Sequence, residues 1–184
     1  MLPIASGATR FTNVRFVDTN ILLYAVSRDP QERHKAERAR GVLAERDLAL
    51  STQVLQEFYV QATRESRLDP LTHEQAGGLV ESFLRFPVVD ITTQIVLAAL
   101  ATRQRFLISY WDAAILEAAR ALGCETVLSE DLSDGQDYAG VVVENPFSPS
   151  EAGDPYGTAV ASASTAPPRA AAAPPSSRVR RWAR

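Results

Sequence analysis

The chain has 184 residues, 46% of them hydrophobic, and its 19 basic and 22 acidic side chains give a net charge of −3. That length suits one ordinary domain with a buried core rather than two, and the longest apolar run, seven residues at 95–101, is far below the ~20 that cross a bilayer. One cysteine, Cys124, excludes an internal disulfide and a thiolate metal site. Residues 1–10 lack a continuous apolar stretch followed by a small-residue cleavage site, so we expect a cytoplasmic protein with no signal peptide and no membrane contact.

Short apolar runs alternate with helical patterns along most of the chain. The first half predicts a strand over 14–18, an apolar turn over 21–26, a charged helix over 29–46, a strand over 48–50 and a helix from 52. The second half predicts a helix over 72–85, a strand over 88–91, helices over 95–106 and 109–122, and two buried strands over 126–128 and 141–143. This alternation favours an α/β fold of three layers, α/β/α, with a central, mostly parallel sheet of about five short strands flanked by helices.

Capping residues support the predicted helix boundaries. Ser51 or Thr52 can cap the helix after the second strand. Thr72 and Gln75 have the spacing of a capping box, and Gly123 lies where a glycine commonly ends a helix. The order of the strands in the sheet does not follow from these signals.

The composition changes near residue 148. Ala, Pro and Ser make up 22 of the last 37 residues, and such a segment buries too little apolar surface to offset its ordering entropy. We therefore divide the chain into an extension over 1–13, one domain over 14–147 and a disordered tail over 148–184. The tail ends in arginines, which indicate either a solubilising segment or a weak tether to nucleic-acid phosphates.

Four carboxylates end strands or lie on the helices that follow: Asp18, Glu57, Asp112 and Asp131. In open α/β sheets ligands bind outside the carboxyl ends of the strands, so these four acids are expected to converge. Clustered like charges are costly unless a cation neutralises them, and an all-oxygen set suits Mg²⁺ or Mn²⁺ better than zinc. The pattern predicts a site for a hard divalent cation.

Each acid also has a simpler structural interpretation. Asp18 and Asp112 stand where helix-capping residues do, and Glu57 has the position of a solvent-facing helix residue. Asp131 lies in a turn-forming loop, where Glu130 and Asp134 compete with it for the fourth position. We favour Asp131 because of its offset from the preceding apolar strand.

Taken together, four segments resemble the PIN-domain family of metal-dependent nucleases, and in particular the VapC-type toxins of bacterial toxin–antitoxin pairs. The segments are Phe-Val-Asp-Thr-Asn at 16–20, Leu-Gln-Glu-Phe at 55–58, Ser-Tyr-Trp-Asp at 109–112 and Val-Leu-Ser-Glu-Asp-Leu at 127–132, with Asn-Pro-Phe at 145–147 closing the last. The resemblance spans about residues 14–147. It implies a PIN-like fold and an endoribonuclease whose products carry 5′-phosphate and 3′-hydroxyl ends.

The resemblance also implies roles for single residues. Asp18, Asp112 and Asp131 would hold Mg²⁺ or Mn²⁺, and Glu57 would complete the site or orient the attacking water. Three neighbouring polar residues are weaker candidates for contact with a carboxylate or a phosphate: Thr19, Asn20 and Ser51.

Two other classes with acids at strand ends fit the sequence less well. The only lysine, Lys35, comes too early for a receiver domain, and Asn20 stands where a haloacid-dehalogenase-like phosphatase would need a second acid. A PIN fold that binds RNA or a partner protein without cutting remains an alternative. The basic residues after the first motif predict either a path for RNA or, more simply, a solvated helix laced with ion pairs.

As partners, the resemblance implies an RNA substrate, a small antitoxin and a second copy of the chain. An antitoxin would place a basic side chain among the acids and use its own DNA-binding end to repress the operon. Phe83, Leu84 and Phe86 near a helix end are candidates for a homodimer interface, with burial in the core as the alternative.

Overall fold

The computed structural model describes residues 14–148, so the predicted extension over 1–13 and the predicted tail, apart from Ser148, lie outside the described residues. The strands are β1 (Arg15–Val17), β2 (Leu48–Ser51), β3 (Val88–Val89), β4 (Thr126–Leu128) and β5 (Val142–Glu144). The α-helices are α1 (Thr19–Ala25), α2 (Arg33–Leu43), α3 (Thr52–Ala62), α4 (His73–Phe83), α5 (Thr93–Phe106) and α6 (Tyr110–Ala121).

The five strands form one sheet in the order β3-β2-β1-β4-β5, and every neighbouring pair is parallel. With helices flanking the sheet, this confirms the predicted α/β/α fold. The chain builds outward from β1 through β2 to β3, then returns to β4 on the other side of β1. The gap between β1 and β4 is therefore the point where the strand order reverses, which is where open α/β sheets bind ligands.

Helix starts follow the capping signals in the sequence. The Ser51 hydroxyl accepts a hydrogen bond from the backbone of Val54 and caps α3, and Thr72 and Gln75 complete the capping box of α4. The apolar turn predicted over 21–26 belongs, up to Ala25, to helix α1, which begins directly after β1 and is capped by the Asp18 side chain. Other boundaries differ from prediction by one or two residues: β3 is shorter, α5 begins at Thr93, and β5 lies one residue later than predicted.

The charged segment predicted as one helix over 29–46 consists of two pieces. Asp29 caps a short 3-10 helix, Pro30–Glu32, which leads into α2. Helix α2 ends three residues earlier than predicted because the chain must turn at Ala44 to enter β2.

The core is formed by the central strands and the helix faces packed on them. Phe16, Leu50 and Leu128 are fully buried on three adjacent strands. Strand β5 lies at the edge of the sheet, so Val142 is 41% exposed, and the prediction of a fully buried strand there was wrong. Phe83 is in the core as well.

Among residues 14–148, no helix has both the length and the apolar character needed to cross a bilayer.

Candidate acidic site at the point where the strand order reverses

Asp18 is the centre of a buried hydrogen-bond network. It follows β1, caps α1 and is only 1% exposed. Its Oδ1 accepts from the backbone N–H of Thr19 at 2.6 Å, and its Oδ2 accepts from Ser129 Oγ at 2.7 Å and Asn20 Nδ2 at 2.9 Å. Three donors therefore hold this carboxylate at the reversal point, and together they offset part of the cost of burying its charge.

Glu57 joins the same network from α3. Its side chain is 4% exposed, so it is not the solvent-facing helix residue of the simpler interpretation. The hydroxyl of Thr19 donates to Glu57 Oε2 at 3.1 Å. Since the backbone of Thr19 also contacts Asp18, this one residue links the first two predicted acids.

Asp131 lies at the open end of the network, on the loop after β4, where it is exposed. Its Oδ2 accepts from Asn20 Nδ2 at 3.3 Å, and its backbone N–H donates to Ser129 Oγ at 3.2 Å. Asn20 thus contacts both Asp18 and Asp131. Three of the four predicted acids are connected, although they are separated by up to 113 positions in the sequence.

The two rival acids on that loop point to other partners. Glu130 binds Lys35 and Tyr24. Asp134 accepts from the backbone N–H of Asn145 and from the hydroxyl of Ser148, each at 2.8 Å, and these bonds lower the pKa of its carboxyl. Of the three candidates for the fourth position, Asp131 is the one whose side chain reaches Asn20.

Asp112 comes to this region on α6. It is half-buried in the first turn of the helix, where its backbone N–H donates to Ser109 Oγ at 3.1 Å. The backbone carbonyl of the preceding residue, Trp111, accepts a hydrogen bond from Gln53 Nε2 at 3.5 Å. The start of α6 therefore lies against the first turn of α3, the helix that carries Glu57.

Ser51, the last of the weaker candidates, is fully buried, and its hydroxyl oxygen accepts from the backbone of Val54 at 3.3 Å. This is a capping contact within α3. Thr19 and Asn20, in contrast, contact the predicted acids directly.

The donor chemistry of the network fits a hard cation. Its side-chain acceptors are all oxygen atoms, the ligands that Mg²⁺ and Mn²⁺ prefer. The side-chain oxygen Oδ1 of Asn20, a residue 8% exposed, has no hydrogen-bond partner among the described residues. A buried acceptor without a partner costs roughly 1–3 kcal/mol, which a ligand at this position would offset. Within residues 14–148 no three His, Cys, Asp or Glu side chains form a ready-made metal site.

Ser129 is the member of the network that the sequence analysis missed. It is fully buried and contacts Asp18, Asn20 and Asp131. Its place was visible in the sequence, because it follows β4 as Asp18 follows β1. A serine after an apolar run is common in turns, however, and only the adjacency of β1 and β4 gives this one a role.

The fold and the site thus define an α/β protein with an acidic, oxygen-lined site where its strand order reverses. The sequence model of the PIN domain family matches residues 15–133, and the chain belongs to that family. No match was found among curated proteins.

Solved structures share the fold. A toxin–antitoxin complex from Klebsiella pneumoniae is 23% identical with a TM-score of 0.53, and DNA-bound VapBC from Salmonella typhimurium is 23% identical with a TM-score of 0.50. In both, the match covers 72% of this chain and 98% of the other. FitAcB from Neisseria gonorrhoeae is 18% identical with a TM-score of 0.51, over 73% of this chain and 99% of the other.

Proposed function

We propose that the chain is a divalent-metal-dependent endoribonuclease that hydrolyses RNA phosphodiester bonds and acts as the toxin of a toxin–antitoxin pair. The observation that supports this most directly is the hydrogen-bond network in which Thr19 links Asp18 to Glu57 and Asn20 links Asp18 to Asp131. Membership of the PIN domain family supports a nuclease, and the similar structures from Klebsiella and Salmonella are a toxin–antitoxin complex and VapBC. An RNA substrate would place the activity in the cytoplasm.

In this proposal Asp18, Asp112 and Asp131 hold Mg²⁺ or Mn²⁺. When bound, such an ion supplies a Lewis acid that eases deprotonation of water and neutralises charge on the phosphate. Glu57 orients the attacking water and accepts its proton. The Thr19 hydroxyl fixes the Glu57 carboxylate through Oε2, so the orientation of the base is set before substrate binds.

Asn20 has two tasks in the same scheme. Its Nδ2 holds the carboxylates of Asp18 and Asp131 a fixed distance apart. Its Oδ1 offers a further oxygen to the cation or to a donor group on the substrate. Hydrolysis then leaves a 5′-phosphate and a 3′-hydroxyl on the two RNA products.

The variant Asp18→Asn tests the enzyme directly. It keeps the size of the side chain but removes the charge, and we expect cleavage of a panel of RNAs in Mg²⁺ to fall to the level seen with EDTA. Asp112→Asn should behave in the same way. The matched control is Asp90→Asn, because Asp90 also follows a strand, β3, but is exposed. Undiminished cleavage by folded Asp18→Asn would exclude the assignment.

The proposed partner is a small antitoxin that inserts an Arg or Lys among the acids. A guanidinium or ammonium group would satisfy those carboxylates much as a cation does, which gives inhibition an electrostatic cause. We expect the chain to co-purify with the product of a small neighbouring gene that also binds its own operator DNA. Harmless expression of the chain alone, with no such partner, would count against the toxin assignment.

We also propose that two copies pair through the exposed face of α5. Leu97 and Leu100 on α5 are 62% and 51% exposed, and Leu107, the residue that ends the helix, is 89% exposed. Monomers seldom leave such apolar surface uncovered. Of the interface candidates in the sequence, Phe83 and Phe86 are buried, which leaves Leu84. Light scattering should give twice the 20.1 kDa chain mass, and Leu97→Glu should halve it; a monomeric wild type would refute the pairing.

One observation favours the non-catalytic alternative, in which the fold binds RNA or a partner without cutting. The described acids do not form a ready-made metal site. The two functions separate in one assay, because a binding protein would shift labelled RNA in a gel and leave it intact when Mn²⁺ is added.

A further inference from the structure

We propose that Lys35 is a positioning residue for the acidic site: through Glu130 it holds the loop after β4 in the conformation that presents Asp131 to Asn20. This inference rests on the proposed metal-dependent function and adds to it a residue on α2 that none of the four motifs contains.

Lys35 is the only lysine of the chain, and its ammonium group contacts Glu130 and Tyr24 and lies 5.6 Å from the centre of the Phe147 ring. Its Nζ donates to Glu130 Oε2 at 2.5 Å and to the Tyr24 hydroxyl at 3.1 Å, and lies 4.6 Å from the centre of the Tyr24 ring. The Tyr24 hydroxyl in turn donates to Glu130 Oε1. Both oxygens of the Glu130 carboxylate are therefore held by residues of α1 and α2.

The three residues of the loop alternate in direction. Ser129 and Asp131 contact Asn20, whereas Glu130 between them contacts Lys35 and Tyr24. Fixing Glu130 on one side therefore restricts the backbone that carries Asp131 on the other. Because Asp131 is exposed, burial contributes little to fixing the position of its side chain.

The contact differs from an ordinary surface ion pair. Phe147 packs edge-on against Tyr24 at 5.1 Å, and the side chains of Lys35 and Glu130 are 38% and 20% exposed. Burial opposes the charge on Lys35, but its hydrogen bonds to Glu130 and Tyr24 outweigh burial and raise its pKa. Two residues earlier on α2, Arg33 pairs with Glu37 across the helix surface at 82% and 60% exposure, which is the kind of pair that contributes little.

The test measures Mn²⁺ binding to the full chain by electron paramagnetic resonance, without RNA. In Lys35→Met a positive charge near the acids is lost, so charge alone would tighten Mn²⁺ binding. If Lys35 positions Asp131, the same substitution should instead weaken Mn²⁺ binding. Substitutions that release a residue behind a metal ligand typically weaken binding 10- to 100-fold, and we expect a loss of about 10-fold.

Four further variants isolate the cause. Arg33→Met, on the same helix, makes the same change of charge and should leave Mn²⁺ affinity within about twofold, the scatter of a surface change. Lys35→Arg keeps the cation and should restore most of the affinity. Tyr24→Phe removes only the hydroxyl at Glu130 and should weaken binding a few-fold, without altering charge or ring packing. The double variant Lys35→Met with Glu130→Gln has the net charge of the wild type and should still bind weakly.

The outcomes separate the two proposals. If the wild type binds no Mn²⁺, the metal-dependent function fails and this inference with it. If the wild type binds and Asp131→Asn weakens binding, but folded Lys35→Met and Tyr24→Phe bind as well as wild type, only the positioning role is refuted. Tighter binding by Lys35→Met, or wild-type affinity in the double variant, would show that Lys35 acts by charge alone and would also refute it.

Discussion

Replacing Ser129 by alanine should destabilise the protein although it removes a single oxygen atom. That oxygen is fully buried and donates to the Asp18 carboxylate at 2.7 Å. A hydrogen bond to a charged group contributes about 1.5–3 kcal/mol. The contact with Asn20 at 3.4 Å is long, and the Asp131 N–H is near solvent, so their loss adds little. We expect the free energy of unfolding to fall by about 2 kcal/mol, a drop in Tm of roughly 4 to 8 °C for a chain of this size.

Urea unfolding of the wild type and Ser129→Ala at neutral pH measures this difference. Ser133→Ala, four positions along the same loop, is the matched control. Ser133 is exposed, and its hydrogen bond from the backbone N–H of Gln136 goes to its own backbone carbonyl, which the substitution keeps. The control should stay within about 0.5 kcal/mol of the wild type. If Ser129→Ala did the same, the Asp18 network would not hold the two strand ends together.

Three other predictions concern the core and the titrating groups. Phe58→Ala should lower the free energy of unfolding, measured in urea, by about 3–5 kcal/mol, because Phe58 is fully buried and its ring centre lies 5.2 Å from that of Phe83. The control Val60→Ala, at an exposed position, should lower it by under about 0.5 kcal/mol. A similar loss in both variants would contradict the packing of Phe58. Burial raises the pKa of Cys124 from 9.0 to about 11, so at pH 8 its thiolate fraction falls about 100-fold. Labelling with a disulfide reagent should be at least that much slower than in urea, and equal rates would refute the burial of the thiol. The pKa of the Asp134 carboxyl, measured by NMR, should lie below the ordinary aspartate value of 3.8, because Asn145 and Ser148 donate to its charged form. The stabilisation from these bonds is present above pH 3.8 and is lost as the pH falls through the lowered pKa. A titration midpoint at or above 3.8 would contradict this prediction.

Much of the fold follows from local sequence signals. The alternation of short apolar runs and helical patterns predicted five strands, and the Thr72–Gln75 box marked the start of α4 to the residue. Signals of this kind are local because a cap is satisfied within one turn of its own helix. The strand order is not local. It decides that β5 is an edge strand with Val142 exposed, and no residue of β5 carries that information alone.

The acids of the site were predicted, and so were Thr19 and Asn20 as residues that contact a carboxylate. Ser129 and Lys35 were found only in the structure. A carboxylate after a strand is conspicuous in a sequence, whereas Ser129 resembles any turn serine until β4 is placed beside β1. Lys35 resembled one charge among many on a solvated helix. Arg33 fits that interpretation through its bond to Glu37, but Lys35 contacts a loop 95 positions away, a pairing that depends on tertiary structure.

The most direct measurement is a digestion of total RNA by the purified chain with and without Mn²⁺, with EDTA as control, followed by mapping of the new ends. We expect new ends only when the metal is present, with a 5′-phosphate on the downstream fragment and a 3′-hydroxyl on the upstream fragment of each cut. Cleavage that persists in EDTA, or intact RNA at every metal concentration, would contradict a nuclease that works through Asp18 and its neighbours.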